Sequence, residues 1–378
     1  MLSTLTPDQE FFRETTARFL HDRLPTSRLR DLREDPAGFD RDDWRRGAEL
    51  GWTSLLVGEA DGGGGISGDG AVDLSLIAFE FGRHAAPGPL VDCNVAAFAL
   101  SRWGGEAHRA ALEALLSGEA IASCCIGAAP WRLGPGVGVT IRRDGDEVVL
   151  DGLARPAESA AEAAHLLVTG RTEQGVTQVL APARTPGVTV KRLKNLDVTR
   201  RFAAVRFESV RLPVAAVVGE IGAAEAAFGR QTQAAGVILA AEAVGAMEAA
   251  FQMTLEWAFN RYTFGRPLAS YQALKHRFAD MKSWLEAAHA ISDRAAAAVA
   301  AESDDAAELV SGARAFIGRY GVELAQDCVQ LHGGIGVTYE HDLHFFLRRV
   351  TLDRMLYGAP DDHHQMIAEL EIRREEAA

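Results

Sequence analysis

The sequence predicts an α+β chain of three domains: a helical N-terminal domain at residues 1–118, a small β-barrel or sandwich at 119–221 and a C-terminal four-helix bundle at 222–378. Three observations predict it. Apolar residues recur at helical spacing through about Gly118. Near Ala120 the period shortens into brief, often β-branched segments divided by glycine, proline and charged turns. From about Gly222 helical spacing returns in long runs with short connections, the pattern of an antiparallel bundle. With 378 residues, 48% of them hydrophobic, the chain can build several substantial cores.

The elements follow in order. Thr6-Pro7-Asp8-Gln9 announces the first helix, with Thr6 as its cap, Pro7 at its first position and Gln9 completing a capping box. Phe11, Phe12, Thr15, Phe19 and Leu20 form its apolar stripe. The helical pattern breaks near Gly51 and at the glycine-rich Asp61–Gly70. That loop invites comparison with a phosphate cradle. It lacks the following Lys-Ser/Thr and follows no clean strand, so it reads as a connector. Leu74, Ile77 and Phe81 behind it are helix core. Strands are expected at Ile121–Ile126, Val137–Ile141, Glu147–Leu150, His165–Thr169, Gln178–Ala181 and Ala203–Phe207, and the β-domain closes at Val210–Pro213 and Gly219. Helices are expected at Ala223–Asn260, Tyr271–Ala301, Ala306–Leu331, roughly Leu343–Arg349, and from Asp361. Ser303-Asp304-Asp305 is the expected cap of the third, and Gly333-Gly334-Ile335-Gly336 breaks the chain after Leu331.

A net charge of −13 and a pI near 5.4 argue against a nucleic-acid surface, which needs a basic stripe. No run approaches the roughly 18 uninterrupted apolar residues of a membrane span, and the acidic N-terminal stretch lacks signal-peptide character. Cys93, Cys124, Cys125 and Cys328 show no CxxC spacing. They read as small core residues in a reducing, cytoplasmic setting. No metal site is expected.

The stretch Asn260–His276 carries the most chemistry. Gly265, Arg266 and Pro267 break the helical pattern between two long helices, and the segment brings a guanidinium (Arg261), an aromatic ring (Phe264) and an amide (Gln272). Arg261 can be a cation at the negative end of a helix dipole. It can equally be an anion site for a phosphorylated cofactor, since the guanidinium fork matches phosphate.

The order of domains, together with four motifs, resembles the acyl-CoA dehydrogenase family over nearly the whole chain. The motifs are Gly51–Gly65 followed by Ile77–Glu80; Val205–Pro213; Arg261–Gln272; and Gln330–Gly334 followed by Gly336 and Thr338–His341. The last two are the most specific. The resemblance implies an FAD held in extended form at a subunit interface. It implies that Arg261, Phe264, Gln272, Gln330, Gly333 and Gly334 hold the pyrophosphate and adenosine half of a neighbouring subunit's flavin. The residue chemistry agrees: Arg neutralises a diphosphate, Phe covers an apolar face, Gln offers donor and acceptor, and Gly admits close approach of backbone amides.

The family's reaction is α,β-desaturation of an acyl-CoA thioester, with a Glu carboxylate as base in a dry pocket. Here Gly358, within Leu356–Pro360, stands where that Glu commonly sits, and Ala235 stands at the alternative base position. Asp361 and Asp362 lie just beyond Gly358 and read first as a helix cap. Glu242, seven residues after Ala235, reads as a polar position in an Ala-rich helix. The loops that contact the flavin ring and the thioester are also replaced, by Ile126–Gly134 and Ala154–Ser159.

The losses fall on what a subunit uses for its own flavin, while what it offers a neighbour is kept. The chain is therefore similar to the subunit lacking the catalytic Glu in two-subunit, α2β2 steroid-type acyl-CoA dehydrogenases. That implies a catalytic paralogue as partner, an acyl-CoA substrate in the assembled complex and an electron-transferring flavoprotein as acceptor. Three alternatives stand beside it. One is a self-sufficient homotetramer using Asp361, Asp362 or Glu242 as base. Another is a family member with different flavin chemistry, and the third is a flavin-free scaffold.

Overall fold

Residues 5–127 and 138–377 are described by the computed structural model. The N-terminal helices are α1 (Pro7–Arg23), α2 (Thr26–Asp31), α3 (Arg41–Glu49), α4 (Gly70–Arg83), α5 (Leu90–Trp103) and α6 (Arg109–Leu116). Thr6 caps α1 as expected. Its hydroxyl accepts the Gln9 N–H at 3.2 Å while the Gln9 side chain accepts the Thr6 N–H at 3.1 Å. The glycine-rich loop before α4 does bind an anion, but the chain's own. The amides of Ile66 and Ser67 donate to the Asp73 carboxylate at 2.7 and 2.9 Å, and the Ser67 hydroxyl donates to it at 2.8 Å. These donors are spent on closing a connector.

The strands are β1 (Ala122–Cys125), β2 (Val139–Asp144), β3 (Glu147–Glu158), β4 (His165–Thr172), β5 (Gly175–Pro182), β6 (Val188–Leu193), β7 (Phe202–Pro213) and β8 (Val217–Val218). They form one mixed sheet in the order β6-β7-β3-β2-β4-β5-β8, with β1 parallel beside β4. Inward residues including Ile141, Val148, Leu150, Val168, Val179, Val205 and Phe207 share one core.

Two strands, β6 and β8, were not foreseen, and β3 runs on well past Leu150. Asp151, Gly152 and Pro156 have low strand propensity, so pairing with β7 rather than local preference carries β3 to Glu158. The register slips between Leu150 and Gly152. Gly152 has φ +136, and a Cβ there would lie 2.0 Å from the Gly138 carbonyl oxygen, so this bulge needs glycine. On β6, Lys191 and Arg192 are exposed, as suits an edge strand.

The C-terminal elements are α7 (Glu225–Asn260), the short pair β9 (Tyr262–Thr263) and β10 (Arg266–Pro267), then α8 (Gln272–Ala300), α9 (Ala306–His332), α10 (Leu343–Asp353) and α11 (Pro360–Ala377). Asp305 precedes α9 but makes no side-chain cap. Its carboxylate accepts the Ser303 hydroxyl at 2.6 Å instead. An 18-residue window of α7 has hydropathy 1.6, enough for a bilayer span by composition, yet 89% of it is buried within the protein. That is the profile of a core helix.

The chain forms two compact units. One comprises residues up to Leu29, Ser75–Ala86 and Gly236 onward; the other comprises Arg30–Leu74 and Pro87–Ala235. In the second, Gln178 of β5 and Gln231 of α7 exchange amide hydrogen bonds of 2.7 and 2.8 Å. This reciprocal pair fixes the start of α7 on the sheet. The first unit holds all six expected cofactor residues.

Candidate functional site

At the end of α7 the chain makes a tight hairpin. Tyr262-Thr263 pairs with Arg266-Pro267 across Phe264-Gly265, whose φ angles are +53° and +81°. Two positive values are what a two-residue hairpin turn requires, and the second falls on glycine. The first falls on a bulky aromatic, which is uncommon and strained. Phe264 is 93% exposed, so the strain holds a phenyl ring in water. Two contacts stiffen the hairpin: the Tyr271 hydroxyl donates to the Thr263 carbonyl at 2.7 Å, and the Arg266 guanidinium lies 3.8 Å from the Tyr271 ring centroid. Gln272 opens α8, exposed, with its amide nitrogen 3.3 Å from His276 Nε2.

Arg261 is exposed, and among the described residues no carboxylate pairs with it. Its guanidinium carbon lies 5.7 Å from the Trp257 ring, a cation–π contact. Trp257 in turn stacks on His332, with centroids 5.3 Å and planes 20° apart, and His332 meets His341 edge-on at 4.5 Å. His332 ends α9 and immediately precedes Gly333, whose φ of +65° turns the chain into a 3-10 turn over Gly333–Val337. Gly333 and Gly334 have nothing within 4 Å of where a Cβ would stand, and Gln330 is exposed one turn earlier. The column Arg261–Trp257–His332 thus joins the two motifs into one surface. Phe259, Tyr262, Ile335 and Val337 add exposed apolar groups to the same two segments, the composition of a surface meant to be covered.

The positions considered for a base differ in kind. Ala235 is fully buried within α7. Gly358 has φ +116, and a Cβ built on it would lie 2.9 Å from His363 Nε2. His363 is 5% exposed; burial foremost, then the Arg314 charge, hold it down to about 3 against the pull of the Gly358 backbone. A neutral imidazole therefore fills the space in front of residue 358. Glu242 corrects the expectation of a merely polar helix position. It is 1% exposed and ion-paired with the fully buried Arg349, which also donates to the Ala86 and Ala85 carbonyls at 2.9 and 3.2 Å. Asp362 accepts the Ala359 N–H at 3.0 Å and so caps α11, while Asp361 lies exposed in its first turn.

Two family descriptions match: "Acyl-CoA dehydrogenase, N-terminal domain" over residues 6–119 and "Acyl-CoA dehydrogenase, C-terminal domain" over residues 227–370, together well over half of the sequence. The chain belongs to the acyl-CoA dehydrogenase family. It is 29% identical over 359 residues to acyl-CoA dehydrogenase IpdE2 of Mycobacterium tuberculosis, covering 94% of this chain and 95% of the relative. Among solved structures, a variant of the Tcur3481-Tcur3483 steroid ACAD is 26% identical, with TM-score 0.88 over 99% of this chain and 100% of that one. The ChsE4-ChsE5 complex of Mycobacterium tuberculosis shares the fold, with TM-score 0.87 at 24% identity over 98% of both chains. The resemblance to two-component steroid-type enzymes of an oxidoreductase family therefore stands.

Acyl-CoA dehydrogenase folds have been solved with FADH2, as in a glutaryl-CoA dehydrogenase of Mycobacterium smegmatis. The surface around Arg261 fits the diphosphate-bearing half of such a cofactor. It offers a guanidinium with no carboxylate partner among the described residues, open glycine backbone and an exposed ring. Ala154–Glu158 is built into β3, and the Glu158 carboxylate is held by both of its oxygens at 3.0 Å from buried Arg200. The expected replacement loop Ile126–Gly134 lies mostly outside the described residues. Sequence reasoning missed Trp257, Tyr271, His332 and His363. The first three had a signal: Trp257 lies one helical turn before Arg261, and Tyr271 and His332 stand inside the two specific motifs.

Proposed function

We propose that this chain is the non-catalytic subunit of a two-component acyl-CoA dehydrogenase, lending the ADP-binding half of an FAD site to a catalytic paralogue in an α2β2 assembly. The observation that carries the reading is the contrast between its two ends. Arg261 is exposed and has no carboxylate partner among the described residues, whereas residue 358 is a glycine at a φ that residues with side chains rarely adopt, backed by a buried imidazole. Arg261 would neutralise the cofactor's diphosphate, Gln272 and Gln330 would supply amide donors and acceptors, and the Gly333-Gly334 backbone would lie against it. Phe264, held out by its turn, would cover an apolar face and exclude water. The bound flavin supplies the capacity to accept a hydride during α,β-desaturation, and the partner supplies the carboxylate base.

A steroid-type acyl-CoA is the substrate class favoured by the likeness to the Tcur3481-Tcur3483 enzyme. An electron-transferring flavoprotein is the proposed acceptor, and the cytoplasm the proposed location. The test is co-expression with an acyl-CoA dehydrogenase encoded beside it. The pair should co-purify with visible flavin absorbance and reduce an electron acceptor with acyl-CoA, and Arg261→Ala should strip the flavin. Full flavin occupancy and turnover by the isolated chain would sink the reading.

A further inference from the structure

We propose that His332 is a positioning residue for the clasp: through Trp257 it holds the Arg261 guanidinium in register with the Gly333-Gly334 turn, and it does so in its neutral form. The inference rests on the reading above of what that surface binds.

His332 is 4% exposed and immediately precedes Gly333, so the packing of its ring fixes the backbone from which the turn begins. Its ring carries Trp257 at 5.3 Å, and Trp257 carries Arg261 at 5.7 Å. Its Nδ1 lies 2.8 Å from the Cys328 carbonyl oxygen and donates to it, which leaves a lone pair on Nε2. That Nε2 is buried without a hydrogen-bond partner among the described residues, and so is the Trp257 indole N–H. Near-parallel stacked rings cannot bond edge to edge, so neither atom satisfies the other. A phenyl ring at 332 would stack as well and bring no unmatched buried nitrogen of its own, and an unmatched one is costly. What imidazole has and phenyl lacks is a site that takes up a proton.

Burial foremost holds His332 below the ordinary imidazole range; the Cys328 carbonyl opposes this and the His341 charge adds to it. The charged and titratable groups around it are few. From α7 comes Arg261 across the indole, and from the segment before α10 comes His341. On α9, the Cys328 thiol is pushed up to about 12 by burial and stays neutral, while Asp327 is ion-paired to Arg277 of α8. Protonation of His332 would thus set a second cation on the indole that already bears Arg261. The sign follows. A histidine whose folded-state pKa is lowered contributes its stability fully above the ordinary value, near 6.5, and loses it as pH falls from there toward the lowered value. The clasp therefore loosens in acid.

The first measurement uses the chain alone. Trp257 emission, taken as the difference between wild type and Trp257→Phe, is followed from about pH 8 to about pH 5, the range of histidine titration. A protonated imidazole quenches indole fluorescence, so emission falls with a midpoint below the ordinary histidine value. His332→Phe abolishes that transition without lowering Tm, and Arg261→Gln moves its midpoint upward by removing a neighbouring cation. The second measurement is flavin occupancy of the complex with the catalytic partner. His332→Ala weakens flavin binding about tenfold at neutral pH, as removing a supporting group does at other preorganised sites. His332→Phe retains flavin in mild acid, where the wild type releases it. Trp257 emission indifferent to His332→Phe, or identical pH profiles of flavin retention in wild type and His332→Phe, overturns the proposal. A wild-type complex devoid of flavin at every pH refutes the reading of the clasp instead, and the Trp257 titration still decides the coupling to His332.

Discussion

Placing a carboxylate at residue 358, the expected base position, separates a missing base from a dismantled site. Gly358 has φ +116, a conformation that residues with side chains rarely adopt, and a Cβ there would approach His363 Nε2 to 2.9 Å. The backbone strain costs about 1–3 kcal/mol, and overpacking against a buried ring costs about 1–3 kcal/mol more. Gly358→Glu should therefore destabilise the chain by roughly 2–6 kcal/mol, seen as a Tm lower by about 3–8 °C. Adding His363→Ala removes the clash but not the strain, so the double variant regains about half of the loss. Neither variant gains activity. Thermal unfolding of the purified chain gives the stability arm, and reduction of an artificial acceptor with acyl-CoA and added FAD gives the activity arm. If Gly358→Glu alone melts with the wild type, or turns over acyl-CoA unaided, the view that this site is closed by backbone and His363 is wrong.

Other outcomes follow from the same contacts. Glu242→Gln leaves Arg349 buried without its partner carboxylate and should cost about 3–5 kcal/mol, while turnover per folded complex is unchanged; a fall in kcat at constant Tm would instead mark Glu242 as catalytic. Asp362→Ala should cost about 1 kcal/mol through the lost cap and leave the complex fully active, so a loss of turnover without a shift in Tm would revive the aspartates as bases. His363, neutral in the fold down to about 3, becomes charged on unfolding below the ordinary histidine value. Stability should therefore drop by roughly 1.4 kcal/mol per pH unit from about pH 6 toward 3 on its account, and His363→Phe should flatten that slope in urea titrations. Phe264→Asn, which suits the left-handed turn better, should stabilise the isolated chain by about 0.5–1 kcal/mol and yet lower flavin occupancy of the complex. A stabilised variant with full occupancy would show that the ring has no task.

The long helices were legible because each spans several turns of consistent apolar spacing, and because local signals such as Thr6-Pro7-Asp8-Gln9 mark a start unambiguously, whereas α2, six residues long, gave no such signal. The sheet was legible only where β-branched residues cluster. β6 and the part of β3 beyond Leu150 carry Lys191, Arg192, Asp151, Gly152 and Pro156, residues whose strand conformation is imposed by a neighbour in space. The clasp residues could be named from their motifs, but the strain at Phe264 and the stack beneath Arg261 come from how α7 and α9 meet. His363 had no warning at all. It faces Gly358 because Tyr357, at φ +54, and Gly358 fold the chain sharply back before α11.

The acids of this chain and its clasp differ in one physical respect. Glu242 is bound to Arg349, Glu158 to Arg200, Asp362 to the start of α11 and Asp73 to the glycine-rich loop. Each is engaged in holding the fold, and on the proposed reading the base comes from the partner subunit. At the clasp the reverse holds. Arg261 has no carboxylate partner among the described residues, Phe264 is strained and 93% exposed, and Trp257 and His332 each bury an unsatisfied nitrogen. The strained turn and the two unsatisfied nitrogens lower the stability of the isolated chain. On the proposed reading something outside the chain uses these features, and their chemistry matches it: an anion for the guanidinium, and an apolar surface for the ring. A diphosphate cofactor carried by a second subunit provides both at once, whereas a free phosphate or a protein face alone would leave one of them unused.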